Sequence, residues 1–126
     1  MRFRLNEDKY FADVTDGIAV VINIETGVYY GLNLLTTNIY ENITSGADTD
    51  ELLAALSKIK GYNESIKAKY LEFLNKLITG EFIEEDKKTS STAVHINFDE
   101  YRDEELDFVL SEYRDAAELL LADPIH

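Results

Sequence analysis

Apolar residues alternate with a two-residue period in the first third of the chain. The run GIAVVINI over 17–24 is rich in β-branched residues and lies between two turn sequences, DG and ETG. Its two predicted faces are formed by Ile18, Val20, Ile22 and Ile24 and by Ala19, Val21 and Asn23. Gly27 suits the positive φ of a hairpin loop, so residues 28–32 are expected to return antiparallel, and residues 10–14 predict a third strand.

Beyond residue 32 the apolar period lengthens to three or four residues, which predicts helices. Apolar residues recur every four positions from Leu35, and Asn33 before them is a suitable N-cap. A second helix is predicted after Asp48, whose carboxylate can cap it, and a third over 64–79. The third helix carries a wide apolar stripe formed by Ile66, Tyr70, Phe73, Leu74, Leu77 and Ile78. Its width indicates either a central helix or a helix that meets a molecule outside the chain.

The last third of the chain differs in composition. The polar run EEDKKTSST over 84–92 is typical of a loop, and we assign a linker to 87–93. Residues 94–126 hold ten acidic and two basic residues, a net charge of -8. Several of their apolar residues are spaced as one face of a helix: Leu106, Val109, Leu110 and Tyr113. These features predict an acidic extension made of a short strand and a helix.

Composition narrows the chemistry that the chain can perform. Its 126 residues carry a net charge of -13, which repels the phosphates of nucleic acids. The lack of cysteine excludes thiolate nucleophiles and Cys-based zinc or iron–sulfur sites, and the two histidines, His95 and His126, give no zinc ligand set. Carboxylate pairs in the acidic helix are typical of a solvated face. We therefore expect no catalytic residues, no metal and no cofactor, and hence a protein that is not an enzyme.

No segment predicts a signal peptide or a membrane helix, because the longest apolar runs fall far short of about 18 residues. The expected location is the cytoplasm, without contact to a membrane. Three helices with a small sheet also match a winged-helix regulator that binds DNA, and this remains the alternative. Lysines for such a role are concentrated on the second and third helices: Lys58, Lys60, Lys67, Lys69 and Lys76.

The order of these features resembles the PqqD-like proteins, which recognise ribosomally synthesised precursor peptides that are later modified. The resemblance is carried by GIAVVINIETGVYYGLN, IYENITSGADTDELLAAL and IKAKYLEFLNKLITGEFIEE, somewhat over half of the chain. Family members commonly have Trp where this chain has Tyr40. The resemblance implies an α+β, winged-helix-like recognition domain over 1–86, with a three-stranded antiparallel sheet packed on three helices. The linker 87–93 and the extension 94–126 lie outside the resemblance.

The resemblance also implies a function, namely binding the leader region of a precursor peptide and presenting it to a modifying enzyme. That enzyme is often a radical S-adenosylmethionine (SAM) protein, which would carry the iron–sulfur chemistry. The leader would add as a strand to the edge formed by 28–32, since an edge strand offers unpaired N–H and C=O groups. The third helix would border this cleft. The predicted peptide-binding residues are Val28, Tyr29, Tyr30, Gly31, Leu32, Lys67, Tyr70, Leu71, Leu74 and Ile78.

The sequence is compatible with more than one assembly of the chain and more than one role for its C-terminal third. The sequence does not identify the precursor peptide or the modification, and it is compatible with a monomer or a homodimer. The acidic extension could fold back on the domain, form a dimer or dock the enzyme. Tyr29 and Tyr30 must point to opposite faces of their strand, but the sequence does not say which one is buried.

Overall fold

The computed structural model describes residues 1–87 and 107–114, which form an α+β fold. Its strands are β1 (Phe3–Leu5), β2 (Tyr10–Thr15), β3 (Ile18–Asn23), β4 (Tyr29–Leu32), β5 (Ile83–Glu85) and β6 (Leu110–Tyr113). Its helices are α1 (Leu34–Thr44), α2 (Thr49–Leu56) and α3 (Glu64–Thr79). The larger sheet has the order β2-β3-β4-β6 with all neighbours antiparallel, and β1 pairs with β5 in a separate two-stranded sheet.

The two hairpins of the larger sheet follow from their turn residues. Asp16 and Gly17 both have positive φ (54° and 78°), as a two-residue hairpin turn requires. In the β3–β4 loop Gly27 has φ 74°, and the side-chain oxygen of Asn23 accepts from the N–H groups of Glu25 and Thr26. The three predicted strands are therefore present. The predicted count is corrected, however, because β6 makes the sheet four-stranded.

All three predicted helices are confirmed, and each begins at a side-chain cap. The side chain of Asn33 accepts from the N–H of Thr36, Asp48 accepts at the start of α2, and Asn63 accepts from Ile66. Each cap satisfies backbone donors that the first turn of a helix leaves unpaired.

The core lies between the helices and one face of the larger sheet. Ala19 and Val21 of β3 are fully buried, whereas Ile18 and Ile24 on the other face are 43% and 58% exposed. The hydroxyl of Thr37 in α1 accepts from the N–H of Ala19 at 2.9 Å, which fixes this helix to the sheet. Among the described residues, the helices thus cover a single face of the larger sheet.

Two predictions for the region after α3 are corrected. Glu84 and Glu85, the start of the predicted polar loop, belong to β5 and pair with Arg4 and Phe3. Val109, Leu110 and Tyr113, predicted on a helix face, lie in an extended segment. The edge of β4 supplies main-chain hydrogen-bond partners to this segment, and that tertiary pairing outweighs a local helical spacing. Linker residues 88–93, the predicted strand near 94–98, Leu106 and the end of the predicted helix lie outside the described residues.

Candidate functional site

The edge of β4 is paired with a segment of the same chain. Strand β6 runs antiparallel to it, and the opposed residues are Leu32 with Leu110, Gly31 with Ser111, Tyr30 with Glu112 and Tyr29 with Tyr113. The prediction of an open edge at 28–32 is therefore corrected. An edge strand favours such pairing, because its unpaired N–H and C=O groups gain partners when another extended segment is added.

The register settles the orientation of the two tyrosines. Tyr30 points to the helix side, where its ring meets that of Phe82 edge-on at 4.7 Å. Phe82 in turn stacks on Tyr10 at 4.3 Å, and the Tyr10 hydroxyl donates to the carbonyl of Gly80. Burial raises the pKa of Tyr30, and the nearby Tyr10 and the carboxylate of Glu112 raise it further. Tyr29 lies on the outer face, opposite Ile22 on one side and Tyr113 on the other.

Alternate residues of the C-terminal segment face α3. The ring of Phe108 meets that of Phe73 edge-on with centroids 6.1 Å apart, and Phe108 and Leu110 both pack against the core. A cavity of about 250 Å³ lies beside them and is lined by Lys69, Glu72, Phe73, Lys76, Asp107, Phe108, Val109 and Leu110. A second cavity follows along the segment and is lined by Tyr30, Lys76, Thr79, Gly80, Phe82, Leu110 and Glu112. The space between β4 and α3 is thus a groove that receives one side of an added strand.

The N-terminus of α1 also contacts the main chain of this segment. The Asn33 side-chain N–H donates to the carbonyl of Asp107 at 2.8 Å, and the Thr36 hydroxyl lies 2.8 Å from the carbonyl of Val109. Both acceptors are backbone oxygens, two residues apart. These bonds therefore hold an extended strand without regard to its side chains.

The hydroxyl of Thr36 has two acceptors for its single proton. It lies 2.8 Å from the carbonyl of Val109 and 2.8 Å from the side-chain oxygen of Asn33. It also accepts from the N–H of Asn33, which completes the capping box of α1. The proton can therefore serve the added strand or the cap, and the helix keeps its N-terminal hydrogen bonds in either case.

The structure brings only part of the predicted site together. Tyr29–Leu32 form β4, and Val28 precedes it, with its carbonyl bonded to the N–H of Asn23. Tyr70 belongs to the core, where it is 1% exposed and its hydroxyl donates to the carbonyl of Thr49. The other predicted residues of α3 line neither cavity of the groove: Lys67, Leu71, Leu74 and Ile78.

The cause is the angular position of those residues on α3. At 100° per residue they share a stripe that lies across the buried row from Lys69, Glu72 and Lys76. Leu71 and Ile78 in this stripe are 46% and 40% exposed. The apolar stripe on α3 is wide, so it did not indicate which side of the helix faces the edge of the sheet. The spacing of Lys69, Phe73 and Lys76, a basic pair around an aromatic residue, was the signal available in the sequence.

Charge on the two sides of the groove is complementary. Lys69 and Lys76 belong to the helix wall, and Asp107 and Glu112 belong to the segment opposite them. Lys76 also forms an ion pair with Glu72 at 3.4 Å on the surface of α3. Surface ion pairs of this kind contribute little to stability. Glu72 also lines the groove, so the helix wall carries two lysines and one carboxylate opposite Asp107 and Glu112.

Comparisons of the chain with family models, with curated proteins and with solved structures each found no match. In the described ranges 1–87 and 107–114, no group of three or more potential ligands is arranged to hold a metal ion. No helix in those same ranges has both the length and the apolar character required to cross a membrane. The groove beside β4 is accordingly the feature from which a function can be argued.

Proposed function

We propose that this protein binds the leader region of a ribosomally synthesised precursor peptide by strand addition at β4 and presents it to a modifying enzyme. In this proposal the chain is not an enzyme and carries no cofactor. A radical SAM maturase is the partner that the PqqD-like resemblance favours. The chemistry of modification then belongs wholly to that partner.

The observation that carries the proposal is the seating of residues 107–113 along β4. An extended segment pairs with the edge over four residues, and its alternate side chains enter the groove at α3. Main-chain pairing of this kind provides affinity, and pockets for alternate side chains provide selectivity. A leader peptide that takes the place of β6 can reproduce this geometry.

The bonds from α1 support the same proposal. Asn33 and Thr36 reach carbonyl oxygens just beyond the β4–β6 ladder, which extends the main-chain recognition past Leu32. A recognition protein that must accept leader sequences of some variety benefits from contacts that do not depend on side chains.

The test is a titration with synthetic leader peptides taken from short open reading frames beside the gene. Because β6 covers β4, the titration uses the variant Phe108→Ser/Leu110→Ser, here named the opened variant, which removes the two apolar anchors of the segment. We expect saturable binding, with amide shifts in β4 and at Lys69 and Phe73. Proper folding of the variant is checked by its circular dichroism and its thermal transition.

A pair of charge reversals provides the matched control. Lys69→Glu and Lys67→Glu change the same net charge on the same helix, but only Lys69 lines the groove. In the opened variant, Lys69→Glu should weaken binding of an acidic leader by about fivefold, the size expected for a charge at the rim of an interface. Lys67→Glu should leave it unchanged. Failure of every candidate leader to bind the opened variant would refute the proposed function.

A further inference from the structure

We propose that residues 107–113 are a tethered pseudoligand of the peptide site, which defines the class of peptide that the site takes and must leave before that peptide binds. The inference rests on the proposed function, because it names the ligand of the same groove. The segment reads DFVLSEY. Its groove-side residues give the pattern aromatic, aliphatic and acidic at alternate positions: Phe108, Leu110 and Glu112.

Each element of this pattern corresponds to a feature of the groove. The aromatic position contacts Phe73 edge-on, an arrangement that aromatic pairs prefer. The aliphatic position lies opposite Leu32 and packs against the core. The acidic position belongs to the cavity that Lys76 lines. Of the intervening residues, Val109 borders the first cavity and its carbonyl lies 2.8 Å from the Thr36 hydroxyl, and Ser111 lies opposite Gly31 on the outer face.

The segment is held at the periphery and can leave without breaking the core. The side chains of Phe108, Leu110 and Tyr113 are only half-buried. Core residues of the neighbouring elements, such as Val21 of β3 and Leu35 of α1, are fully buried. Strand β4 remains paired with β3 when β6 departs. Helix α1 also remains capped, because the two capping bonds between Asn33 and Thr36 involve no atom of the segment.

Tethering makes the segment an effective competitor even if it binds weakly. A site on the same chain meets its segment at a local concentration on the order of 1 mM. If the detached segment bound with a Kd of about 100 µM, the site would be closed about ten times more often than open. The apparent Kd of any incoming peptide would rise by about the same factor of ten.

The first experiment uses a fluorescein-labelled peptide of sequence DFVLSEYR, that of residues 107–114, as the probe. Anisotropy titrations compare the wild-type chain, the opened variant and the control Ser111→Ala, which alters the outward face of β6 opposite Gly31. We expect the opened variant to bind the probe about tenfold more tightly than wild type and Ser111→Ala to match wild type. Equal affinities for wild type and the opened variant overturn the inference.

A second probe tests the alternating pattern itself. The peptide DVFSLYER has the same composition, but its inward and outward residues are exchanged, as a slip of one residue would do. We expect it to bind the opened variant at least about tenfold more weakly than the first probe. Equal binding of the two peptides contradicts the assignment of the ligand class.

A disulfide lock tests displacement in a chain that keeps its anchoring residues. Gly31 and Ser111 are directly opposed, and the chain has no cysteine, so Gly31→Cys/Ser111→Cys introduces the only two thiols. Opposed strand residues have Cα separations within the range that disulfides span. A Cβ at Gly31 lies 3.4 Å from the Tyr113 ring, which needs to shift only slightly. The single variant Ser111→Cys is the control.

Oxidation of the lock should abolish binding of the probe, and reduction should restore the wild-type value. Binding that is independent of the redox state overturns the inference, as does a dimer on a non-reducing gel, since β6 would then come from a second copy. The probe belongs to this chain, so the result does not depend on a leader. Leaders that bind wild type and the opened variant equally would leave the proposed function standing and remove the pseudoligand. If the opened variant binds the probe but no leader, the pseudoligand stands and the proposed function is refuted.

Discussion

Tyr40 and Tyr70 are both buried in the core, at 3% and 1% exposure, but their hydroxyl groups differ in their surroundings. The Tyr70 hydroxyl donates to the carbonyl of Thr49 at 2.8 Å. The Tyr40 hydroxyl has no hydrogen-bond partner among the residues that the structure describes. The same substitution, Tyr→Phe, should therefore change the free energy of unfolding in opposite directions at the two positions.

The magnitudes follow from the two environments. Tyr70→Phe removes a hydrogen bond and leaves a carbonyl with one partner fewer, which should lower the free energy of unfolding by about 1 kcal/mol. Tyr40→Phe removes a buried polar group whose desolvation is not compensated, and that cost is roughly 1–3 kcal/mol. We therefore expect Tyr40→Phe to raise the free energy of unfolding by about 1 kcal/mol.

Urea unfolding followed by circular dichroism measures both effects. With a slope of about 2 kcal/mol per molar urea, each midpoint should move by about 0.5 M, upward for Tyr40→Phe and downward for Tyr70→Phe. The double variant should lie near wild type if the sites are independent. A loss of stability in Tyr40→Phe as large as that in Tyr70→Phe would refute the reasoning, because it would show that the Tyr40 hydroxyl makes a favourable bond.

Two further changes test the core and the N-terminus of α1. Burial raises the pKa of both Tyr40 and Tyr70, so the folded chain keeps phenol protons that the unfolded chain loses. The contribution of these two tyrosines to the free energy of unfolding should be constant below pH about 10 and fall above it, and the fall should be less steep in Tyr70→Phe. Urea midpoints that do not change with pH above about 10 would contradict the raised pKa values of the two tyrosines. Asn33→Ala should lower the free energy of unfolding by about 1 kcal/mol through loss of the cap. Asn33→Asp keeps the capping acceptor but not the bond to Asp107, so it should spare α1 and increase amide exchange in β6; unchanged exchange would count against that bond.

The helices could be predicted from the sequence because their signals are local. Asn33, Asp48 and Asn63 cap them, and a period of three to four residues defines their buried faces. The hairpins were equally accessible, since their turn residues adopt the positive φ that DG and ETG predict. Each of these predictions depends on residues only a few positions apart.

The site was less predictable because it depends on distant pairings. No local sequence signal near Leu110 indicates that this residue will lie opposite Leu32. The spacing between Leu110 and Tyr113 is compatible with a helix as well as with a strand. Strands of three residues, such as β1 and β5, are too short to show a period. Because β6 was not predicted, the sequence pointed to Lys67 and Leu71 on α3, whereas the cavities beside β6 are lined by Lys69 and Phe73.

The shortness of the β4–β6 ladder has a consequence for kinetics. Four paired residues and a few half-buried side chains suit a modest affinity, on the scale of the 100 µM considered for the segment. At a typical association rate constant of about 10⁶ M⁻¹ s⁻¹, a peptide held this way dissociates at about 100 s⁻¹ and stays for roughly 10 ms. A peptide that is released so quickly can pass to a second protein within one catalytic cycle. Under the proposed function, the small sheet edge thus suits delivery of a peptide better than its storage.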